Sequence, residues 1–297
     1  MYKFVLSTDS CCDELKSALA TDDIEYIAMP FITGEENYDN FSNWEEYKHF
    51  YDEMRRGVAP TTASLSVGEL EEYFENLVQK YNMDILHLAL SSGLSVNYEN
   101  TCKASKIVMD RHPEINIFVP DAKAVTQGQN LLLQIAKDWR NQGKSAKATY
   151  DYIMDTAPYV HHWFYITDLF HLKRGGRIST AQAALGSLVK ARIICTVLDN
   201  GKLGVYSKTM GTKKAIKSLS ELVLNYGTDL NNQTLYICHS DDEHSAEILK
   251  QFIIKEIPRA KIIINNIGPV IGSHTGPETV GVVFLGKHRI AKLKSDK

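Results

Sequence analysis

Two patterns of hydrophobic residues alternate along most of the chain. Short apolar runs predict buried strands at residues 3–6, 24–32, 84–90 and 115–119. Between them, apolar residues recur at helical spacing, as in 66–81, 126–140 and 145–157. Strands separated by helices favour parallel pairing with right-handed crossovers. The first half of the chain is therefore predicted to be an αβα domain with a mostly parallel sheet.

Two of the predicted helices begin with a serine that precedes a glutamate by three residues. Ser42 is followed by Glu45, and Ser66 is followed by Glu69. This spacing is typical of a capping box, in which the hydroxyl and the carboxylate each accept a hydrogen bond from a backbone N–H at the helix start. We predict that Ser42 and Ser66 cap these helices.

The pattern changes after residue 158. The apolar runs at 193–198 and 203–207 flank Asn200-Gly201, a pair typical of a tight β-hairpin turn. The other strands of this half are predicted at 162–167, 234–239, 261–267 and 279–285, with helices at 212–226 and 242–256. A hairpin combined with crossovers indicates a mixed sheet. We predict two α/β domains, 1–158 and 159–297, which also suits a chain of 297 residues.

The composition is that of an ordinary globular protein. Hydrophobic residues make up 44%, charged residues 23%, and the formal net charge is −3. The basic residues are dispersed, whereas nucleic-acid binding needs a clustered positive face. No apolar stretch approaches the roughly 20 residues of a spanning helix, and the first ten residues lack the layout of a signal peptide. The five cysteines form no C-x-x-C pair, so we expect a cytoplasmic protein with reduced thiols.

Signatures of common enzymes are missing from the sequence. It contains no G-x-S-x-G elbow, no Walker A loop, no G-x-G-x-x-G fingerprint and no H-E-x-x-H pair. We therefore predict no catalytic residue, no metal site and no cofactor. Four segments are nevertheless rich in small polar residues and glycine, namely 60–64, 91–95, 173–179 and 268–276.

Three side chains in these segments could contact a ligand. His274 stands in a predicted glycine-rich loop between Ser273 and Thr275, and a ligand contact and a structural role both remain open for it. Arg177 follows two glycines and is suited either to bidentate pairing with an anion or to a surface salt bridge. Ser92 or Ser95 with His274 would suit a hydrolase or acyl transferase acting on a lipid-like substrate, although no third member of a triad is apparent.

Five segments, in this order along the chain, resemble the DegV family of bacterial fatty-acid-binding proteins. They are STDS at 7–10, PTTAS at 60–64, LSSGLS at 90–95, DLFHLKRGGRIS at 168–179 and IGPVIGSHTGP at 267–277. The resemblance implies that one long-chain fatty acid lies in a tunnel between the two domains, with its carboxylate hydrogen-bonded at one end. The implied carboxylate contacts are Thr62, Ser92 or Ser95, His274 and Arg177.

The resemblance also implies a partner. Carriers of this family present the acid to a separate kinase subunit related to dihydroxyacetone kinases, which forms an acyl-phosphate for phospholipid synthesis. The chain would then be a carrier without catalysis of its own; a binder of small polyols is a further alternative that rests on the same analogy. Where the family commonly has Lys-x-Arg, this chain has Lys208-Thr209-Met210. We expect Lys208 and Met210 to lie at the docking surface, where Met210 supplies no charge.

Overall fold

The computed structural model describes residues 2–33, 36–38, 43–179 and 190–293. The strands within these residues are β1 (Val5–Asp9), β2 (Ile24–Ile27), β3 (Phe31–Thr33), β4 (Glu36–Tyr38), β5 (Thr61–Thr62), β6 (Ile85–Leu88), β7 (Ile117–Phe118), β8 (Val160–Ile166), β9 (Ala191–Val197), β10 (Leu203–Met210), β11 (Thr234–His239), β12 (Lys261–Asn266) and β13 (Val280–Leu285). The α-helices are α1 (Lys16–Thr21), α2 (Trp44–Arg55), α3 (Val67–Tyr81), α4 (Asn97–Arg111), α5 (Gln127–Asn141), α6 (Ala146–Thr156), α7 (Phe170–Arg174), α8 (Thr212–Tyr226), α9 (Glu243–Glu256) and α10 (Pro269–Thr275).

The first half of the chain forms a four-stranded parallel sheet in the order β2-β1-β6-β7. This confirms the parallel pairing expected from the alternation of strands and helices. The single strand predicted at 24–32 is wrong, because β2 ends at Ile27 and β3 begins at Phe31 in a separate antiparallel sheet with β4 and β5. Pro30 lies between the two strands and has no N–H to donate to a sheet, which explains the break.

The second half forms a six-stranded mixed sheet in the order β10-β9-β8-β13-β11-β12. Only β11 and β12 pair in parallel in this sheet as described, and the predicted mixed sheet is confirmed. The predicted hairpin joins β9 to β10. Its turn is closed by a hydrogen bond from the Leu198 N–H to the Lys202 carbonyl (2.8 Å), and Gly201 takes φ +79°.

One of the two predicted capping boxes is present as expected. The Ser66 hydroxyl accepts a hydrogen bond from the Glu69 N–H (3.2 Å), and the Glu69 carboxylate accepts one from the Ser66 N–H (2.7 Å). Ser42 lies outside the described residues. Helix α2 is capped instead by Asn43. Its side-chain Oδ1 accepts hydrogen bonds from the backbone N–H groups of Glu45 (3.0 Å) and Glu46 (3.2 Å).

The two large sheets share a hydrophobic core. One cluster of buried side chains joins Val5 and Ile85 of the four-stranded sheet to Val197 and Cys238 of the six-stranded sheet. Hydrogen bonds also connect the two halves: the Ser91 hydroxyl donates to the Gly201 carbonyl at 3.0 Å. The sheets are built from residues 5–118 and 160–285, and the boundary at 158 stays a prediction.

No described helix combines the length and the apolar character that crossing a bilayer requires.

Candidate functional site

An apolar cavity is lined by residues of both halves of the chain. The space between its lining atoms, part of it open to solvent, is about 860 Å³. Apolar side chains that line it include Met29, Leu90, Val125, Phe164, Val270 and Val283. Such a lining is suited to a ligand with a large apolar part.

Two polar side chains meet at one end of this cavity. The Thr62 hydroxyl oxygen lies 2.8 Å from Nε2 of His274, at hydrogen-bonding distance. Burial, together with the nearby Arg177 and Arg174, lowers the pKa of His274 from 6.5 to about 4. The imidazole is therefore neutral at pH 7, with one nitrogen that donates and one that accepts. Thr62 and His274 can both form hydrogen bonds with an anionic headgroup.

His274 lies on a helix and not in the glycine-rich loop that we predicted. Residues Pro269–Thr275 form α10, with proline in the first turn and Gly276 at φ +77° after its end. The misleading glycine is Gly272, where a Cβ would lie only 2.3 Å from the Tyr51 hydroxyl. Glycine is thus needed there for close packing. In the local sequence, a glycine required by packing looks the same as a glycine that forms a turn.

The two candidate serines occupy different positions. Ser95 lines the cavity, and its hydroxyl lies 3.0 Å from the hydroxyl of Ser64, which also lines it. Ser92 is absent from the lining, and its hydroxyl donates to Asp121 at 2.7 Å. Among the hydrogen bonds of the described residues, none joins Ser92 or Ser95 to His274.

Arg177 also lines the cavity. Its Nε donates to the Leu94 carbonyl (3.1 Å), and one terminal nitrogen donates to the Gly175 carbonyl. Arg174 lies close by and donates to the carbonyls of Pro60 and Ser273, each at 3.3 Å. Neither arginine forms a salt bridge with a carboxylate of the described chain. The polar end of the cavity therefore carries positive charge that is not neutralised by an acidic side chain of the described ranges.

Sequence reasoning missed His162, which also lines the cavity. Adjacent residues of a strand point to opposite faces of the sheet, so His161 and His162 lie on different faces of β8. His161 indeed bonds the Lys287 carbonyl at 2.7 Å, outside the cavity lining. The sequence contained no signal for which of the two faces covers a cavity.

The two residues expected at a docking surface lie on β10. Met210 is its last residue and is 48% exposed, and Lys208 is also exposed. Neither of them lines the cavity. In the described part of the chain, no group of three His, Cys, Asp or Glu side chains is arranged to hold a metal ion.

Comparisons with known proteins agree with this architecture. The model of the DegV family, described as a family of uncharacterised proteins, matches residues 3–287. The chain belongs to the DegV family. A DegV domain-containing protein of Clostridium perfringens is 37% identical over 287 residues, which cover 96% of this chain and 98% of the relative. The resemblance found in the sequence motifs is thereby confirmed.

Solved structures of DegV proteins have the same two-domain fold. DegV of Bacillus subtilis, described as a fatty acid binding protein, aligns with a TM-score of 0.81 and 26% identity over 97% of this chain and 100% of its own. A Thermotoga maritima protein whose structure is described as revealing a fatty acid binding function aligns with a TM-score of 0.80 and 26% identity, covering 96% of this chain and 100% of its own.

Proposed function

We propose that this DegV protein binds one long-chain fatty acid, with the carboxylate at the polar end of the cavity and the tail along its apolar walls. The observation that carries the proposal is the pairing of an apolar cavity with a positively charged end that lacks an acidic partner in the described residues. A fatty acid has the complementary distribution of charge and apolar surface. The fatty acid binding described for the Bacillus and Thermotoga proteins supports the same conclusion.

The energetics also suit such a ligand. Burying an ionised carboxylate without partners is very unfavourable, so the acid needs donors and positive charge at its headgroup. Thr62, Ser95, His274 and Arg177 are the groups that we propose for this task. We favour Ser95 over Ser92, because the Ser92 hydroxyl is engaged with Asp121. Each buried methylene of the tail adds about 0.8 kcal/mol, so a long chain provides most of the affinity.

We further propose that the bound acid is presented to a separate kinase subunit of the dihydroxyacetone-kinase type, which forms the acyl-phosphate. The exposed β10 residues Lys208 and Met210 are the proposed docking contacts. An arginine can pair bidentately with a carboxylate of a partner, which methionine cannot do. We expect a protein that holds its acid normally but docks poorly to a kinase whose usual carriers have arginine at this position.

Native mass spectrometry of the protein purified from bacteria tests the binding proposal. We expect a co-purified mass of one long-chain acid per chain, and loss of that mass in His274→Ala. Gly68→Ala is a suitable control, because Gly68 is exposed in the first turn of α3, outside the cavity lining, and a new Cβ there meets only the Ser66 hydroxyl at 4.0 Å. A protein that emerges empty, and that cleaves esters in a manner abolished by Ser95→Ala, would instead support the hydrolase.

A further inference from the structure

One arginine connects the two backbone segments that carry the polar pair of the cavity. Thr62 belongs to β5 in the first half of the chain and His274 to α10 in the second half, so no local connection fixes the distance between them. A terminal nitrogen of Arg174 donates to the carbonyl of Pro60 and to that of Ser273, each at 3.3 Å. These carbonyls lie two residues before the threonine and directly before the histidine. The guanidinium therefore bridges the two segments next to the pair.

Both bridged carbonyls belong to buried residues. Pro60 and Ser273 are buried, and a buried carbonyl needs a hydrogen-bond donor. In a longer helix, Ser273 would accept from the N–H four residues later, but that residue is Pro277, and α10 ends at Thr275. Arg174 supplies the donor that the end of this helix lacks, which is a common role for a basic side chain.

The helix that ends at Arg174 packs closely against α10. A Cβ on Gly276, just after α10, would lie 2.5 Å from Cδ2 of His171 on α7, so the two backbones approach where glycine has no side chain. Leu172 of the same helix is buried in a hydrophobic cluster. The Arg174 guanidinium also lies over the ring of Phe170, 6.0 Å from its centre. The arginine is thus held both at its backbone and at its charged group.

Arg174 does not line the cavity, whereas Arg177 does. Arg174 therefore acts on a ligand through the two segments that it bridges. We propose that Arg174 is a positioning residue, whose bridge holds Thr62 and His274 at the spacing in which both contact one carboxylate. The inference rests on the proposed fatty-acid binding and adds the residue that fixes the geometry of its headgroup site.

The positioning role and the positive charge of Arg174 have different consequences. A charge attracts a carboxylate over a distance, whichever residues touch that carboxylate. A charge effect is therefore the same with and without the His274 ring, whereas a positioning effect disappears with that ring. Lysine also separates the two roles, because it keeps the charge on a shorter side chain without the planar fork of arginine. We do not expect lysine to bridge both carbonyls.

The test measures how hexadecanoic acid and hexadecan-1-ol bind to delipidated protein, from the partition of radiolabelled ligand between protein and phosphatidylcholine vesicles. Each variant is compared with the parent for the same ligand, so the partition into the vesicles cancels. Arg174→Met should bind the acid about tenfold more weakly, but the alcohol less than about twofold more weakly. A single hydroxyl does not require two donors at a fixed spacing. Arg174→Lys should behave like Arg174→Met.

Lys173→Met is the matched control, because it removes a positive charge from an exposed neighbour on α7 that does not line the cavity. It should leave both affinities unchanged. A double-mutant cycle adds the second comparison. In the His274→Ala background, Arg174→Met should have little further effect on the affinity for the acid.

Four results would show that the inference is wrong while fatty-acid binding stands. They are an unchanged acid affinity in Arg174→Met, an equal loss for acid and alcohol, parent affinity in Arg174→Lys, and an equal loss with and without His274. If the parent does not bind hexadecanoic acid, the proposed function itself fails. Measurements on the acid alone in the two backgrounds decide the question if the parent does not bind the alcohol, and Arg174→Lys replaces Arg174→Met there if the latter does not fold.

Discussion

The substitution Gly175→Ala separates the role of the His274 ring from the rest of the headgroup site. Gly175 has φ −72° and ψ −8°, so alanine can adopt its backbone conformation without strain. Its new Cβ would lie 2.1 Å from Nδ1 of His274 and 2.9 Å from Cε1. Atoms cannot remain that close, so the ring must move. The hydrogen bond of 2.8 Å to Thr62, on the other side of the ring, would then be lost.

The expected magnitude follows from what the displaced ring would donate. A hydrogen bond to a charged group contributes about 1.5–3 kcal/mol, and each 1.4 kcal/mol is a factor of ten in Kd. We therefore expect fatty acid to bind roughly 10- to 100-fold more weakly. The ligand-free protein should lose less stability, because alanine restricts the unfolded chain, and this offsets about 0.4–1 kcal/mol of the cost of displacing the His274 ring.

A double-mutant cycle makes the reasoning refutable. Affinity for one long-chain acid is measured by titration calorimetry in the parent, Gly175→Ala, His274→Ala and the double variant. The three atoms nearest to the new Cβ all belong to His274, so Gly175→Ala should have little effect once that ring is absent. An equal loss of affinity in both backgrounds would show that the alanine acts through something other than His274.

Three other predictions concern the lining serine, the buried His161 and the exposed Met210. Ser95→Ala should weaken fatty-acid binding severalfold in the same titration, whereas Ser92→Ala should leave it unchanged; the reverse would show that the lining serine is not the headgroup contact. Burial lowers the pKa of His161 to about 4 from its ordinary 6.5, so the unfolded chain takes up the extra proton first, and the free energy of unfolding should fall as the pH drops from about 6.5 to 4. Urea titrations should show a shallower fall for His161→Asn, and an identical slope would contradict the assignment. Met210→Arg should raise acyl-phosphate production by a kinase whose usual carriers have arginine at this position, measured at a limiting concentration of the carrier, and should leave the affinity for the fatty acid unchanged. Equal turnover with the parent and the variant would exclude Met210 from docking.

The sequence was most informative for segments in which the local hydrophobic pattern and the tertiary packing favour the same secondary structure. The strand Thr234–His239 and the helix Thr212–Tyr226 have the predicted bounds, because each is a strongly periodic segment between clear turn residues. The hairpin at Asn200-Gly201 was predictable for the same reason, since a tight turn requires positive φ and glycine adopts it readily.

The sequence was a poor guide to the site where a residue type is required by a contact with a residue far away in the chain. Gly272 looks like a loop residue, yet the Tyr51 hydroxyl, 221 positions earlier in the chain, is what excludes a side chain there. Gly128 is similar, because His162 of another element occupies the space of its missing side chain. Such glycines are indistinguishable in sequence from those that form turns. The cavity lining was hidden for the same reason, since it depends on which faces of two sheets meet.

The polar end of the cavity differs from an ordinary buried ion pair in how its positive charge is held. Arg177 is fixed by the backbone carbonyls of Leu94 and Gly175 and not by a carboxylate. An acidic partner would neutralise the guanidinium and compete with the ligand, whereas carbonyls orient it and leave its charge available. The carbonyl of Gly175 is thus part of the arginine's support, and its missing side chain gives the His274 ring its place. Gly175 therefore positions both the Arg177 guanidinium and the His274 ring.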